Sequence, residues 1–455
     1  MTTTHTVNRN RSRAVRSLLV LLTALALLSM NLHPSKVAAG SSESQSTIVL
    51  QTNGAPLLQG TTQLVNNQSG DAINPHVSCN LVSYIGFDSQ GISRAHYHDL
   101  VTGIDNVIPG NPADPQSDIS GSRVAYTEHD LGPDRLIVFD TSSQTPTYVP
   151  GVRQSNPSIG GNLVAFEDQS SSVSWLMSEI STYDLSTGTV VPLTNDSLSN
   201  LKPNVSPNGD AVVWQKCTNL GTDCAVYAAL RTGPGVFTTR PLTEPSDESR
   251  FPSTNGEIAV YISHRSGEDD IYYQPLAGGA EVHLSIPGAQ RWARISGDLI
   301  SFESWDVSDF DFDIYVYDIR TGKLFQVTDT PGSEDLSEIG VCNGIGRIVY
   351  TAPGDSSYDL YAFSFQVPSV AEDQIDDLVS LIRSFNLPPG TANSLTTKLQ
   401  QALTAIDSGD LATACSALTA FTNECAAQIG KKLTGDQATQ LINSVAEIKS
   451  DLGCQ

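Results

Sequence analysis

The chain has 455 residues and a formal net charge of −24, from 49 acidic against 25 basic side chains. Such a surface repels nucleic-acid phosphates and anionic lipid, so neither is an expected partner. It suits solubility, cations or basic partners.

Residues 1–39 read as a processing signal. Arg9, Arg11, Arg13 and Arg16 form a basic region, and Leu18 to Met30 is an apolar stretch too short to prefer spanning a bilayer. Val37-Ala38-Ala39 offers small residues for cleavage after Ala39. The expected mature protein is secreted, extracellular or periplasmic, with no stable membrane insertion. Cleavage removes five basic and no acidic residues, which takes the formal charge from −24 to −29. All seven Cys lie beyond the signal and can be oxidised after export. Residues 40–60, rich in Ser, Gln and Gly, are expected to be flexible.

From residue 61 to residue 367 one pattern recurs seven times. A polar turn leads to a buried strand with an aromatic near its end: Leu81-Val82-Ser83-Tyr84, Val124-Ala125-Tyr126, Leu163-Val164-Ala165-Phe166, Ala211-Val212-Val213-Trp214, Ile258-Ala259-Val260-Tyr261, Leu299-Ile300-Ser301-Phe302 and Ile348-Val349-Tyr350. An outer strand rich in Tyr, Asp and Ile follows, then a Thr/Pro turn. Copies lie roughly 40 to 49 residues apart, the period of a four-stranded propeller blade. The expected fold is an all-β seven-bladed β-propeller. Six blades is the alternative if one weak copy is an insertion. The last copy lacks a fourth strand, and Thr61 to Val65 reads as an outer strand able to supply it.

Ser263-His264-Arg265-Ser266-Gly267-Glu268-Asp269-Asp270-Ile271-Tyr272-Tyr273, with Gly278-Gly279 after it, resembles the repeat of TolB-type (WD-like) propellers. Phe312-Asp313-Ile314-Tyr315-Val316-Tyr317-Asp318 and Ser181-Thr182-Tyr183-Asp184-Leu185 match the same piece. The resemblance implies protein binding or scaffolding and brings no catalytic residue. His264 departs from the acidic residue usual there.

Residues 372–454 read as a small all-α domain with apolar stripes at helical spacing. Leu378, Leu381, Ile382 and Phe385 form the first stripe, and Leu395, Leu399, Leu403 and Ile406 the second. Leu411, Cys415, Leu418, Phe421, Cys425 and Ile429 form the third, and Thr434-Gly435-Asp436-Gln437 is a capping box opening the fourth. Ser394-Leu395-Thr396-Thr397-Lys398-Leu399, Leu418-Thr419-Ala420-Phe421-Thr422-Asn423 and Gly430-Lys431-Lys432-Leu433-Thr434 resemble the FIMAH domain of bacterial secreted proteins. That resemblance implies an accessory module without established catalysis.

Three disulfides are expected. Cys217 and Cys224 face each other across a hairpin base, and Cys79 and Cys342 hold matching turn positions in the first and last blades. In the helical segment an antiparallel third and fourth helix bring Cys415 to Cys454. Cys425 lies about 15 Å along the axis from Cys415 and stays reduced as a small buried hydrophobe.

Candidate chemistry is sparse. His96 and His98 alternate on a strand and can turn two imidazoles to one ion, with His76 and His129 in the same two blades. Asp306, Asp309, Asp311 and Asp313 crowd hard oxygen donors that suit Ca²⁺, the one cofactor the sequence suggests. Arg291, Trp292 and Arg294 open a strand and could grip an anionic or sugar ligand at the channel mouth. There is no GxSxG elbow and no phosphate-binding loop. The expected function is a secreted non-catalytic propeller binding an extracellular or envelope protein or glycan. The alternatives are a metal-dependent polysaccharide lyase using His96 and His98, and a structural cell-surface protein.

Overall fold

The computed structural model describes residues 45–66, 71–129, 133–170, 177–196, 198–219, 222–306, 311–354, 358–367 and 370–454. The expected signal segment lies outside the described residues.

Seven sheets make seven blades. In blade 1 the strands run outward in chain order as Ala72–Ser78, Leu81–Phe87, Ser93–Asp99 and Ile104–Val107. Blades 2 to 6 repeat this from innermost strands Ala113–Ser120, Gln154–Gly160, Ser199–Val205, Ser249–Thr254 and Gln290–Ser296. Blade 7 has only Asp335–Cys342, Ile345–Pro353 and Tyr358–Gln366 of its own. The seven-blade count holds and the six-blade alternative falls. The aromatic-bearing strands that reveal the repeat are the second of each blade, not the innermost.

Period-two alternation explains the packing. One face of each blade meets the next blade over an apolar cluster. Between blades 1 and 2, Ile85 and Ala95 pack with Val124, Tyr126 and Phe139. Between blades 5 and 6, Val260, Ile271 and Tyr273 pack with Ile295, Phe302 and Tyr315. Tyr84, Tyr126, Phe166, Trp214, Tyr261 and Phe302 are among the largest fully buried side chains. Burying each such ring contributes on the order of 2–3 kcal/mol.

In blades 3, 4 and 6 the Thr of the outer turn closes the blade on itself. The Thr194, Thr243 and Thr328 hydroxyls accept from the backbone N–H of Ile180, Val226 and Ile314 at 2.8, 2.9 and 2.9 Å. Each ties the exit of its blade back to the third strand of the same blade.

The N-terminal segment closes the ring. Strand β1 (Ser46–Val49) adds in parallel to the outer edge of blade 5, pairing Ser46 with Val282 and Val49 with Ser285. The chain then touches the edge of blade 6, where Leu58 N–H donates to the Gln326 carbonyl at 2.8 Å. Strand β2 (Thr61–Asn66) completes blade 7, with Thr61 opposite Ser364 and Leu64 opposite Tyr361. The expectation of a flexible segment over residues 40–60 is therefore corrected for its described part. Ile48, Leu50 and Ala55 pack on the apolar cluster between blades 5 and 6 and hold it down.

Four helices follow: α1 (Val370–Ser384), α2 (Pro389–Asp407), α3 (Leu411–Gln428) and α4 (Gly435–Asp451). Asp410 caps α3 by accepting from Thr413 N–H, and Thr434 with Gln437 forms the capping box of α4. Their shared core holds Ile375, Leu399, Leu418, Phe421, Leu441 and Val445. Leu411 and Ile429, at the ends of the third stripe, are instead exposed. No helix among the described residues is long and apolar enough to cross a membrane.

The three expected disulfides form, with Cα separations of 5.2 Å for Cys79–Cys342, 4.0 Å for Cys217–Cys224 and 5.6 Å for Cys415–Cys454. Cys425 is free and buried.

Removing residues 45–66 exposes the edges of blades 5 and 7. The melting temperature should then fall, and aggregates should appear in size-exclusion chromatography. A monomeric deletion variant with native melting would refute this closure. In the chain-entropy picture, removing Cys79–Cys342 (separation 263) costs about 3 kcal/mol more than removing Cys217–Cys224 (separation 7). Denaturant titration of the two double Cys→Ser variants checks that order.

Candidate functional site

Innermost strands ring the central axis of a propeller. All seven carry an irregularity at the same place, visible as register shifts between Ile73 and His76, Ser155 and Ser158, Leu201 and Asn204, and their counterparts. Five bulge residues, Asn74, Asn156, Lys202, Phe251 and Trp292, have left-handed backbone with φ of 52° to 54°. Pro follows the first four of these, as in Asn74-Pro75 and Phe251-Pro252, and it tolerates a bulge because no ladder donor is needed there.

Two residues beyond each bulge a side chain reaches the neighbouring blade. Asp118 Oδ2 accepts from Ile159 N–H at 2.8 Å, Ser158 Oγ from Val205 N–H at 3.0 Å, Asn204 Oδ1 from Thr254 N–H at 2.8 Å and Ser253 Oγ from Ile295 N–H at 3.3 Å. Arg294 Nε donates to the Ser337 carbonyl at 3.0 Å. His76 Nδ1 lies 3.2 Å from Glu338 Oε2 and 3.4 Å from Asp118 Oδ1. Every junction between blades thus has one such contact. The carboxylates of Asp118 and Glu338 outweigh the cost of burying His76, so its pKa is raised. Burial raises that of Asp118, against the pull of His76.

A second tier sits at the bulges. Glu167 Oε1 accepts from Lys202 N–H at 2.9 Å, Gln215 Oε1 from Phe251 N–H at 3.0 Å and Glu303 Oε1 from Leu336 N–H at 2.6 Å. The bulge side chains converge on the axis. Phe251 and Trp292, on adjacent blades, have ring centroids 4.7 Å apart. Lys202 of blade 4 feels Glu167 of blade 3, Arg294 of blade 6 and Asp114 of blade 2. Desolvation holds its pKa below the usual value, with those carboxylates opposing. The site has an aromatic pair on one side and charges of both signs around it.

The expected ligand triple is split by this geometry. Trp292 and Arg294 belong to the axis. Arg291 turns instead to the space between blades, where it bonds Glu303 and Asp335, and its guanidinium lies 3.7 Å from the Phe312 ring centroid. Phe251, Lys202 and Asp114 were not foreseen. The residue-Pro pair that recurs ahead of the aromatic strands of blades 1 to 5 is the signal that marks them.

The four expected histidines do not assemble. His76 is in the inter-blade ring, and His129 sits between Asp114 and Asp134 at 2.8 and 2.5 Å. His96 Nδ1 meets Asp105 at 2.9 Å, and its ring stacks on Tyr84 at 4.8 Å. His98 is buried with neither ring nitrogen hydrogen-bonded, and burial lowers its pKa. Among the described residues no three His, Cys, Asp or Glu side chains converge as a metal-holding group. The Asp309 of the expected acidic cluster lies outside the described residues, as do residues 307–310 generally. Asp313 is engaged by Gln326 at 3.2 Å and Thr328 at 3.4 Å.

No family model matches the chain, and no curated protein does. Solved structures of like fold include the β-propeller domain of the Trilobed protease from Pyrococcus furiosus. It is 11% identical over 66% of this chain and 98% of that domain, with a TM-score of 0.49. An acylaminoacyl peptidase of Pyrococcus horikoshii is 12% identical over 66% of this chain and 52% of its own, with a TM-score of 0.48. A puromycin-hydrolyzing peptidase of Mycobacterium tuberculosis is 15% identical over 69% and 55%, with a TM-score of 0.49. The chain thus spans about half the length of the two whole peptidases. Likeness at this level concerns the propeller fold alone. The expected role as a non-catalytic binder of a protein or glycan is corrected to this extent: these structures of like fold are peptidases and a protease domain, not binding modules. The lyase and cell-surface alternatives are set aside with it.

Glu303 gives the site a pH signature. It is fully buried, and desolvation pushes its carboxyl up to about 8, opposed by Arg291 and reinforced by Asp335. The folded value lies above the ordinary 4.5, so the stability it contributes is present at low pH and is lost as pH rises toward 8. The slope is about 1.4 kcal/mol per pH unit. Glu303→Gln keeps the acceptor for Leu336 N–H and should flatten that decline. Chemical denaturation of both proteins across this range is the check, and parallel curves would refute it.

Proposed function

We propose that this propeller serves proteolysis, receiving an unfolded peptide at its channel mouth and holding it in position. The single observation behind the reading is the Phe251–Trp292 pair at 4.7 Å, set at two adjacent bulges. A peptide offers apolar side chains to such a pair and charged termini to its surroundings. Lys202 and Arg294 suit a carboxylate, and Asp114 suits an amine. The Phe251–Trp292 pair supports the peptide-binding part of this reading, and its link to proteolysis is the proposal's further step.

The proposed setting is outside the cytoplasm, which agrees with the signal-like start and with three disulfides that need an oxidising compartment. On this proposal the repeats are of TolB type and the four helices form a FIMAH-like accessory module.

The test is a fluorescence titration of the full chain with a mixed-sequence peptide pool bearing free termini. Trp292 should report saturable binding. Phe251→Ala should weaken it at least 10-fold, equivalent to about 1.4 kcal/mol, with the propeller's circular dichroism unchanged. Lys202→Ala should weaken peptides with a free carboxylate more than amidated ones. Absence of saturable binding at millimolar peptide, or native affinity in Phe251→Ala, would overturn the reading.

A further inference from the structure

The connection between blades 6 and 7 holds two buried carboxylates with spare oxygens. Asp311 opens the third strand of blade 6 (Asp311–Asp318) and is 7% exposed. Its Oδ2 accepts from Gly332 N–H at 3.0 Å, and its Oδ1 is buried without a partner. Glu334, 1% exposed, ends the loop from the outer strand of blade 6. Its Oε1 accepts from the Thr330 hydroxyl, and its Oε2 is buried without a partner. The Glu334 N–H donates to the carbonyl of Phe312, the residue after Asp311, at 3.2 Å, and the Thr328 hydroxyl lies nearby. The two carboxylates therefore share one small enclosed region.

Carboxylates near two other blade connections are engaged from within the fold. In blade 3, Glu179 accepts from Thr194, and the adjoining Asp196 is paired with Lys216. In blade 5, Arg265 pairs with both Asp247 and Glu281. Blade 6 places no such cation there: no Lys, Arg or His among the described residues pairs with Asp311 or Glu334. An unpaired buried carboxylate is costly unless a cation or a proton joins it.

We propose that this corner is a Ca²⁺ site, with Asp311 and Glu334 supplying the charge and the Thr330 and Thr328 hydroxyls lying beside it. The donors are all hard oxygens, which favour Ca²⁺ over a transition metal. Two carboxylates suffice when hydroxyl, carbonyl and water oxygens fill the other positions. The acidic cluster read from the sequence is thereby redrawn. Asp311 stays, Asp313 is occupied by Gln326 and Thr328, and Glu334 enters from the next connection. The ion ties blade 6 to the start of blade 7.

Terbium provides a direct probe, because Trp305 stacks edge-on against Phe312 at 5.0 Å, next to Asp311. The full chain, freed of metal by chelation, should show tryptophan-sensitised terbium emission that Ca²⁺ displaces. Millimolar Ca²⁺ should raise its melting temperature by several degrees. Glu334→Gln and Asp311→Asn should each abolish that shift. Trp305→Phe should lose the emission yet keep the Ca²⁺ shift. Should a carboxylate variant fail to fold, titration calorimetry of the native chain with Ca²⁺ still reads binding and its stoichiometry. No displaceable emission and no shift at millimolar Ca²⁺ would overturn the site, as would a shift surviving in both carboxylate variants. Neither result bears on peptide binding at the channel mouth, which rests on Phe251, Trp292 and Lys202.

Discussion

Everything in the propeller depends on joining each innermost strand to the next. The apolar clusters hold blade faces together, but they do not fix how far one blade slides along another. The polar belt does. At each junction a side chain of one innermost strand bonds the neighbouring strand, from Asp118 on Ile159 to Arg294 on Ser337. A neutral hydrogen bond of this kind contributes about 1 kcal/mol net, and leaving its buried N–H unpaired costs more. The belt therefore acts mainly by penalising every register but one.

The bulge makes this belt and the channel mouth from the same few residues. A regular strand would alternate side chains between the two faces of its blade. An extra residue breaks that alternation, aims one side chain at the axis and passes the next polar one to the neighbouring blade. Bulge residues are consequently free of the packing that fixes the second strands. They range from Asn74 to Lys202 to Trp292 without altering the blade. A site built this way can change its chemistry while the ring stays intact.

The ring was legible in the sequence because its second strands are buried on both faces. Val212-Val213-Trp214 and Leu299-Ile300-Ser301-Phe302 stand out by composition alone, and their spacing gives the blade count. The closure by residues 61–65 was legible from the missing strand of the last repeat. The strap before it was not. Residues 40–60 look polar, and the apolar residues that face the protein, Ile48, Leu50, Ala55 and Leu58, are too few and too unevenly spaced to show a period. The channel site was half legible. Trp292 and Arg294 stand out by type, whereas Lys202 and Phe251 acquire meaning only once their bulges are aligned. Glu334 was invisible beside Asp311 because 22 intervening residues and a whole strand pairing bring them together.

The belt is not uniform, and its asymmetry has a physical reason. Ser158, Asn204 and Ser253 make neutral contacts within the continuous run of blades 3 to 6. Arg294, Glu338, His76 and Asp118 make charged ones from blade 6 through blade 7 to blade 2. That charged arc spans the seam where the two chain ends meet. Elsewhere a blade is tethered to the next by a short connection, so a weak contact suffices to set register. At the seam the partners are remote in sequence, with His76 and Glu338 separated by 262 positions, and the only short tether runs through strand β2, which the ladder alone joins to the rest of blade 7. Stronger, charge-assisted contacts compensate there. The Cys79–Cys342 bridge and strand β2 act on the same seam from the turn and from the outer edge. Covalent, ladder and ionic closures thus concentrate at the blade whose strands come from both ends of the propeller sequence.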